Sequence, residues 1–495
     1  MIECDFCVIG GGPSGYAAAM RAIDFGQKTV LIERGRLGGA GLFNGALSSK
    51  TMWELADYYN QMRSNAFGYE VERYSFSYES LVHQVNQATA ERHAQLQQQI
   101  EVMQAEQKLI YIKGQASLKS QTEIQVITAE GIEEVKAKFI LLATGSRPRQ
   151  LPHIPIDEYT IVTSDGISNW ETFPESVVIL GAGVIGCEFA TIWANFRRTR
   201  VFLIDKQSKI LPFEDDDIGA AVSKNLENIG VTIHRESELV SMRVLNGKVV
   251  YELKYRDGST KSFEVEKALI AVGRVPNVEG LGLERAGIAL QNGALVTTAD
   301  CETQVPHIFA IGDLTADIAL VNIAELEGRH AVEKAVGVST APITYKNIST
   351  IMFLNPEVAA VGMNEQMARK AGITYRVASI QYSCIPRAIA KRVKEGFFKI
   401  IVSDDPAMKI LGIRAIGPQA SSNIQAIALL IHLGLGVDAL TEMVHAHPSM
   451  PEGVQECVRV LKGTSIMKPN ALGNGISCKR VDERGNEYPI FADIF

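Results

Sequence analysis

Cysteine is sparse in this chain and follows no pattern. Seven occur in 495 residues, an odd number at irregular intervals, which excludes the paired framework of a small secreted domain and fits a reducing, cytoplasmic setting. Cys4 and Cys7 are the one close pair. Positions i and i+3 of a strand are expected to face opposite ways, and zinc would want more ligands than two thiols. Cys187, Cys301, Cys384 and Cys457 have no partner at a meaningful spacing, so all of these read as buried small hydrophobes. Long apolar runs are missing too. The most apolar stretch, Ile424 to Val437, is too short to cross a bilayer and carries His432. No membrane span is expected, and the stretch reads as a core or subunit-contact helix. Excess positive charge is absent: 49 Lys and Arg against 56 Asp and Glu leave a net charge of -7. That balance argues against nucleic acid or an anionic membrane as the main partner. Met1 leads within a few residues into a strand and a glycine loop, so no signal peptide is expected.

What remains is an ordinary globular composition, 46% hydrophobic and 21% charged, at a length that predicts three or four folded units. Two stretches carry the same pattern. Phe6 to Ile9 reads as a buried strand, followed by a G-x-G-x-x-G turn on Gly10, Gly12 and Gly15, a helix from Tyr16 to about Gly26, and a second strand, Thr29 to Ile32, ending at Glu33. Val177 to Leu180 leads likewise into Gly181, Gly183 and Gly186, a helix, and the strand Val201 to Ile204 ending at Asp205. In each, the glycines let backbone approach a pyrophosphate, the helix start supplies aligned N–H groups, and the acid can accept from ribose hydroxyls. Strand, turn, helix, strand and acid at these offsets make a strong fingerprint. Two such units predict two dinucleotides. Asp205 favours NAD, while Lys206, Arg197, Arg198 and Arg200 leave NADP open.

Other segments extend the pattern. Residues 58–78 are aromatic-rich (Tyr58, Tyr59, Phe67, Tyr69, Tyr74, Phe76, Tyr78), and a polar helix is expected from about Tyr78 to Gln107 with Leu96, Ile100 and Met103 on one stripe. Lys108 to Ala116 is expected to return as a strand that contains Lys113 and Gly114, and Phe139 to Leu142 runs into Ala143, Thr144 and Gly145, with a proline-marked linker at Pro148, Pro152 and Pro155. Leu37 to Lys50 opens the helical run after the first unit.

Together these segments resemble the flavin-dependent pyridine nucleotide–disulfide oxidoreductases, of the dihydrolipoamide dehydrogenase type, over about Asp5 to Lys468. The resemblance implies an α/β chain with two Rossmann-like domains, for FAD and NAD(P), and a C-terminal α+β dimerisation domain. It implies boundaries at 1–148 for FAD, 149–274 for NAD(P), 275–346 for a segment returning to the flavin, 347–469 for the interface domain, and a tail at 470–495 with no readable motif. It assigns to FAD Gly10, Gly12, Gly15, Glu33, Lys50, Gly114, Thr144, Gly145, Asp313 and the helix start at Leu320 and Val321. To NAD(P) it assigns Gly181, Gly183, Gly186, Asp205, Val240 and Gly273, the last in the segment closed by Arg274. Lys50 and Glu188 match a pair beside the flavin. His447 and Glu452 match an acid–base pair that reaches the partner subunit's flavin site, so a homodimer is expected. Asn322 stands where the family often has His.

One departure decides the functional reading. The family's redox segment reads Gly-Gly-Thr-Cys, four residues, then Cys-Ile-Pro-Ser-Lys. Here Gly38, Gly39, Gly45 and Lys50 match, but Gly41 and Ala46 occupy the two cysteine positions. A thiolate is what attacks a disulfide, and neither residue supplies one. The expectation is therefore an NAD(P)H oxidoreductase that passes electrons through flavin directly to an acceptor such as a quinone, with Gly41 and Ala46 leaving space where the dithiol would lie. Dihydrolipoamide dehydrogenase activity and a non-enzymatic flavin-binding interaction protein are the alternatives.

Overall fold

The computed structural model of the chain describes residues 1–63, 68, 75–315, 317–339 and 341–490. Phe67, Tyr69 and Tyr74 of the aromatic segment and the last five residues of the tail lie outside them. The chain divides into two compact units: Met1–Leu55, Ser75–Phe173 and Leu269–Ile343 in the first, Ala56–Tyr74, Pro174–Ala268 and Thr344–Phe495 in the second.

The first unit is built on one mixed sheet. Its order is Leu109–Lys113, Thr29–Glu33, Ile2–Ile9, Gly131–Leu142, Glu123–Thr128, Gln115–Leu118. The Gly131–Leu142 strand is long enough for two neighbours on one side. Its first half pairs antiparallel with Glu123–Thr128, and its end pairs parallel with Ile308–Ala310, in register Ile308 to Ile140. That late strand brings Asp313 beside residues fixed early in the chain. Alternation along Ile2–Ile9 divides the apolar side chains: Cys7 and Ile9 join one core layer, while Phe6 and Val8 join the other with Leu31, Leu141 and the alanines of helix Pro13–Asp24. That helix lies against helix Val321–Ala335 through small residues, and a β-carbon on Gly328 would strike the Ser14 carbonyl. The polar helix runs Tyr78–Ala105 behind the N-cap Ser77, burying Leu81, Val85, Thr89, Leu96 and Ile100.

Alternation fails at one place. Asp5 and Phe6 both donate their N–H to the Lys28 carbonyl, at 2.8 and 3.1 Å, a local irregularity that puts Cys4 in the same core layer as Cys7. The expectation that these two thiols face opposite ways is therefore corrected. The strand is not regular between them.

In the second unit, Ser176–Leu180, Arg200–Ile204 and Thr232–His234 form parallel neighbours, with helix Val184–Asn195 almost wholly buried beside them. A three-stranded antiparallel sheet follows, Ser237–Leu245, Lys248–Tyr255 and Thr260–Val265. The C-terminal part is a seven-stranded antiparallel sheet in the order Ser349–Met352, Val358–Gly362, Ile410–Ile416, Phe397–Ser403, Tyr375–Gln381, Ile476–Val481, Glu487–Pro489. The last two strands belong to the tail, which is thus part of this sheet and no mere appendage. The apolar stretch near Ile424 is broken: helix Gln425–Leu433 stops at Gly434, which has φ +66, and buries Ile427 and Leu430 while Leu429 and Leu433 stay exposed. No helix among the described residues is long and apolar enough to cross a membrane.

Candidate functional site

Both glycine turns are built alike. Gly10 and Gly181 have φ +112 and +103, a region open to glycine alone without strain. β-Carbons on Gly15 and Gly186 would collide with the carbonyls of Gly10 and Gly181, so the helix can pack this tightly on its strand only with glycine there. Gly12 and Gly183 are the N-caps of helices Pro13–Asp24 and Val184–Asn195, neither with a side-chain cap, and a β-carbon on either would meet nothing within 4 Å. Each turn is thus an open cradle facing uncapped N–H groups, the surroundings a pyrophosphate requires.

The acids repeat the correspondence. Glu33 accepts the N–H of Gly11 and of Gly35, both at 2.6 Å. Asp205 accepts the N–H of Ala182 at 3.0 Å and of Gln207 at 2.7 Å. The nearby cations are engaged elsewhere: Lys206 with Glu238 at 2.7 Å, Arg197 with Asn60 at 3.2 Å, and Arg198 over the Tyr59 ring.

Around the first cradle, Gly114 donates its N–H to the Glu33 carbonyl at 3.0 Å. Thr144 and Asn277 exchange hydrogen bonds at 2.7 and 2.9 Å, holding the Gly145 turn. The Ser146 hydroxyl donates to Asp313 at 2.6 Å and accepts from Arg274 at 2.8 Å. Asp313 is thereby oriented and kept partly open, as a carboxylate binding a polyhydroxyl chain must be. Leu320 is the uncapped N-cap of helix Val321–Ala335, and Val321 is exposed. In shape and donor set these residues fit FAD, as those of the second cradle fit a nicotinamide dinucleotide.

The segment Leu37 to Lys50 is held from the polar helix. His93 Nδ1 bonds the Leu37 carbonyl at 3.0 Å, and the Phe43 ring meets His93 edge to face and carries the Arg36 guanidinium over it. Lys50, on helix Ala46–Arg63, donates to Ser49 at 3.3 Å. The space expected at Gly41 is not there. A β-carbon on Gly41 would lie 2.7 Å from Pro13 Cγ and 3.5 Å from Val321, because the short helix Gly39–Leu42 sits directly on the first glycine turn.

Lys50 belongs to the first unit and Glu188 to the second, where Glu188 is buried and accepts the Phe353 N–H at 3.0 Å. In the same unit Val240 is half exposed on Ser237–Leu245, while Gly273 lies in the first unit at φ +100 with open space where a β-carbon would be. His447 and Glu452 do meet, Nδ1 to Oε1 at 2.7 Å, and Glu452 also accepts the Ser449 N–H at 2.6 Å. Burial pushes the Glu452 carboxyl up, but these hydrogen bonds more than offset it and hold it below the usual range. A carboxylate only accepts, so Nδ1 carries the proton and Nε2 is presented on a side chain that is 70% exposed.

None of the seven cysteines is paired. Burial pushes the thiols of Cys4 and Cys478 up to about 12, and raises those of Cys7, Cys187, Cys301 and Cys457 as well. Lys399 and Asp215, buried together in the second unit, were not singled out from sequence. A lysine inside the apolar strand Phe397–Ser403 was the available signal.

The pyridine nucleotide-disulphide oxidoreductase model matches residues 4–328, and the dimerisation domain model of the same family matches residues 348–458. Dihydrolipoyl dehydrogenase of Geobacillus stearothermophilus is 33% identical over 475 residues, 94% of this chain and 97% of that protein. Leghemoglobin reductase of Glycine max is 32% identical over 92% of this chain and 87% of its own length. Among solved structures, LpdA from Mycobacterium tuberculosis superposes with a TM-score of 0.85 at 27% identity, covering 92% of this chain and all but 1% of its own. The HOCl-induced flavoprotein disulfide reductase RclA from Escherichia coli gives 0.83 at 25% identity, covering 93% and 100%.

Proposed function

This chain belongs to the pyridine nucleotide-disulphide oxidoreductase family, whose members are flavin-dependent pyridine nucleotide oxidoreductases, and from that premise we propose that it oxidises NAD(P)H without a redox disulfide and reduces a small acceptor such as a quinone. Bound FAD supplies the two-electron chemistry, accepting hydride equivalents from the nicotinamide and releasing electrons to the acceptor. The protein's part is to bind and orient. Gly10, Gly12, Gly15, Glu33, Gly114, Thr144, Gly145 and Asp313 would hold FAD, with Leu320 and Val321 offering a helix N-terminus to its ring and Lys50 serving beside it. Gly181, Gly183, Gly186, Asp205 and Val240 would hold the nicotinamide nucleotide. NAD is the favoured form, because Asp205 would repel a 2′-phosphate and the cations near it are turned to other partners.

The observation that carries the reading is the state of the thiols. Gly41 and Ala46 leave the redox segment without sulfur, and the six buried cysteines with raised thiol values hold their protons at neutral pH. Dithiol oxidation needs a thiolate attack and a mixed disulfide. Quinone reduction needs electrons and protons, and the Nε2 of His447, oriented through Glu452, is a proton donor and acceptor that needs no sulfur. The dimerisation model over residues 348–458 supports a homodimer, and the seven unpaired thiols support a reducing, cytoplasmic setting.

Dihydrolipoamide oxidation is the second reading, favoured by the names of relatives such as the Geobacillus protein and by the intact His447–Glu452 pair. Anaerobic titration with NADH and then NADPH, followed by turnover with quinones and with dihydrolipoamide, separates the two. Flavin bleaching by NADH and turnover with quinone alone are expected. Dihydrolipoamide oxidised as fast as quinone is reduced would overturn the proposal.

A further inference from the structure

A buried charge cluster lies in the second unit, apart from both cradles. Lys399 is 2% exposed, yet its ammonium lies 2.7 Å from Asp215, 2.7 and 2.8 Å from the two oxygens of Asp217, and 3.1 Å from Glu365. Three N–H donors thus meet three carboxylates from two separate chain segments. A second buried pair runs parallel to it, Arg414 with Glu214 at 2.8 Å. Neutral bonds fill the seam between the segments. Asp215 also accepts the N–H groups of Glu365 and Gln366 at 3.2 and 3.1 Å, and Asn364 donates to the Phe213 carbonyl at 2.9 Å.

The clamped segment leads directly to the second glycine turn. Leu211, two residues before Phe213, donates its N–H to the Ala182 carbonyl at 3.0 Å, and the Ala182 N–H is the one that Asp205 holds. Ile210 and Leu211 are fully buried under the turn, and Leu211 has φ +49. A leucine does not rest in that region by its own preference, so the loop's shape must be imposed from its anchors. On one side that anchor is Asp205. On the other it is residues 213–217, and Lys399 is the group they converge on.

We propose that Lys399 is a positioning residue for nicotinamide binding, acting through Asp215 and Asp217 to hold the 206–214 loop in register beneath the turn at Gly181. A buried ion pair adds little stability compared with apolar packing, and the role inferred for this one is to fix the geometry of the loop that its two aspartates end. The proposal rests on the reading that the second turn binds the nicotinamide nucleotide.

The test uses the FAD-loaded full chain. Lys399→Met is expected to raise the NADH KM about tenfold, equivalent to about 1.4 kcal/mol, with FAD content, limiting rate and quinone KM unchanged. Lys399→Arg should recover most of the affinity. Asp217→Asn, which alters the half-exposed partner, should raise the NADH KM less, and it carries the test if Lys399→Met does not fold. A lowered melting temperature with an unchanged NADH KM in these variants would show a merely structural lysine and overturn the proposal. So would NADH and quinone KM values that rise together. A wild-type flavin that neither NADH nor NADPH reduces would instead overturn the reading of the second turn, and the proposal with it.

Discussion

A β-carbon on Gly41 would sit 2.7 Å from the Pro13 ring, and a proline ring cannot swing aside as a flexible side chain can. Loss of sulfur at this position is therefore accompanied by packing that a cysteine would disturb. Overpacking of this kind costs roughly 1–3 kcal/mol. Gly41→Cys with Ala46→Cys is expected to lower the melting temperature and to gain little dihydrolipoamide oxidation. Adding Pro13→Ser, which removes the ring, should recover stability. Full dithiol activity in the double variant, at wild-type melting temperature, would show that the crowding has no consequence. At this scale the sequence identified what was missing, and the neighbour that closes over the gap came only from the fold.

At the scale of elements, the tail strand Ile476–Val481 covers the edge strand Tyr375–Gln381 along its length, in register Tyr375 to Val481. Asp404 ties the two strands, at 2.7 Å to Arg376 and 2.5 Å to Arg480. Ile476 and Val481 are buried by the docking, and two aliphatic side chains amount to roughly 3–6 kcal/mol of apolar burial. Truncation after residue 469 should lower the melting temperature by several degrees and expose an unpaired edge, which templates strand addition. Light scattering of the truncated protein that matches wild type would contradict this.

The Lys399 cluster belongs to the same scale and has a pH signature. Burial pushes the Asp215 carboxyl up, but Lys399 and the backbone N–H groups more than offset it and hold it below its ordinary value. A depressed carboxyl stabilises the fold above its unfolded value, about 4, and that contribution is lost as pH falls through the lower native value. Lys399→Met removes the depression, so the stability difference between wild type and variant should narrow as pH falls below about 4. A difference in denaturation midpoint, followed by tryptophan fluorescence, that stays constant from neutral pH to below that value would contradict it.

For the whole molecule, the segment matched by the dimerisation model carries an exposed apolar set: Leu429, Leu433, Met443 and Val444 are 58%, 56%, 43% and 93% exposed. A monomer seldom leaves so many large apolar side chains open together. Leu433→Asp with Val444→Asp should shift the mass in sedimentation toward one chain and reduce quinone turnover with it, since His447 is expected to serve the partner's flavin. A monomeric variant with full turnover would separate His447 from the reaction.

The two glycine turns and their acids at Glu33 and Asp205 were legible in the sequence because each is a local arrangement set by glycine geometry and short spacing, and the pairing of His447 with Glu452 was implied by the family resemblance of a short contiguous motif. That Gly41 and Ala46 stand at the two cysteine positions of the family's segment was legible through the same resemblance, since they sit inside a contiguous motif. Contacts between distant segments were not. Pro13 against Gly41, the Ser146–Asp313–Arg274 chain, the tail strand in the sheet and the four-residue cluster at Lys399 each join positions many residues apart. The joining depends on strand order and helix packing, which no local periodicity encodes. Cys4 and Cys7 mark the boundary between the two kinds of information. Their spacing implied opposite faces, and a single irregularity at Asp5 and Phe6, imposed by hydrogen bonding to the neighbouring Lys28, put both on one.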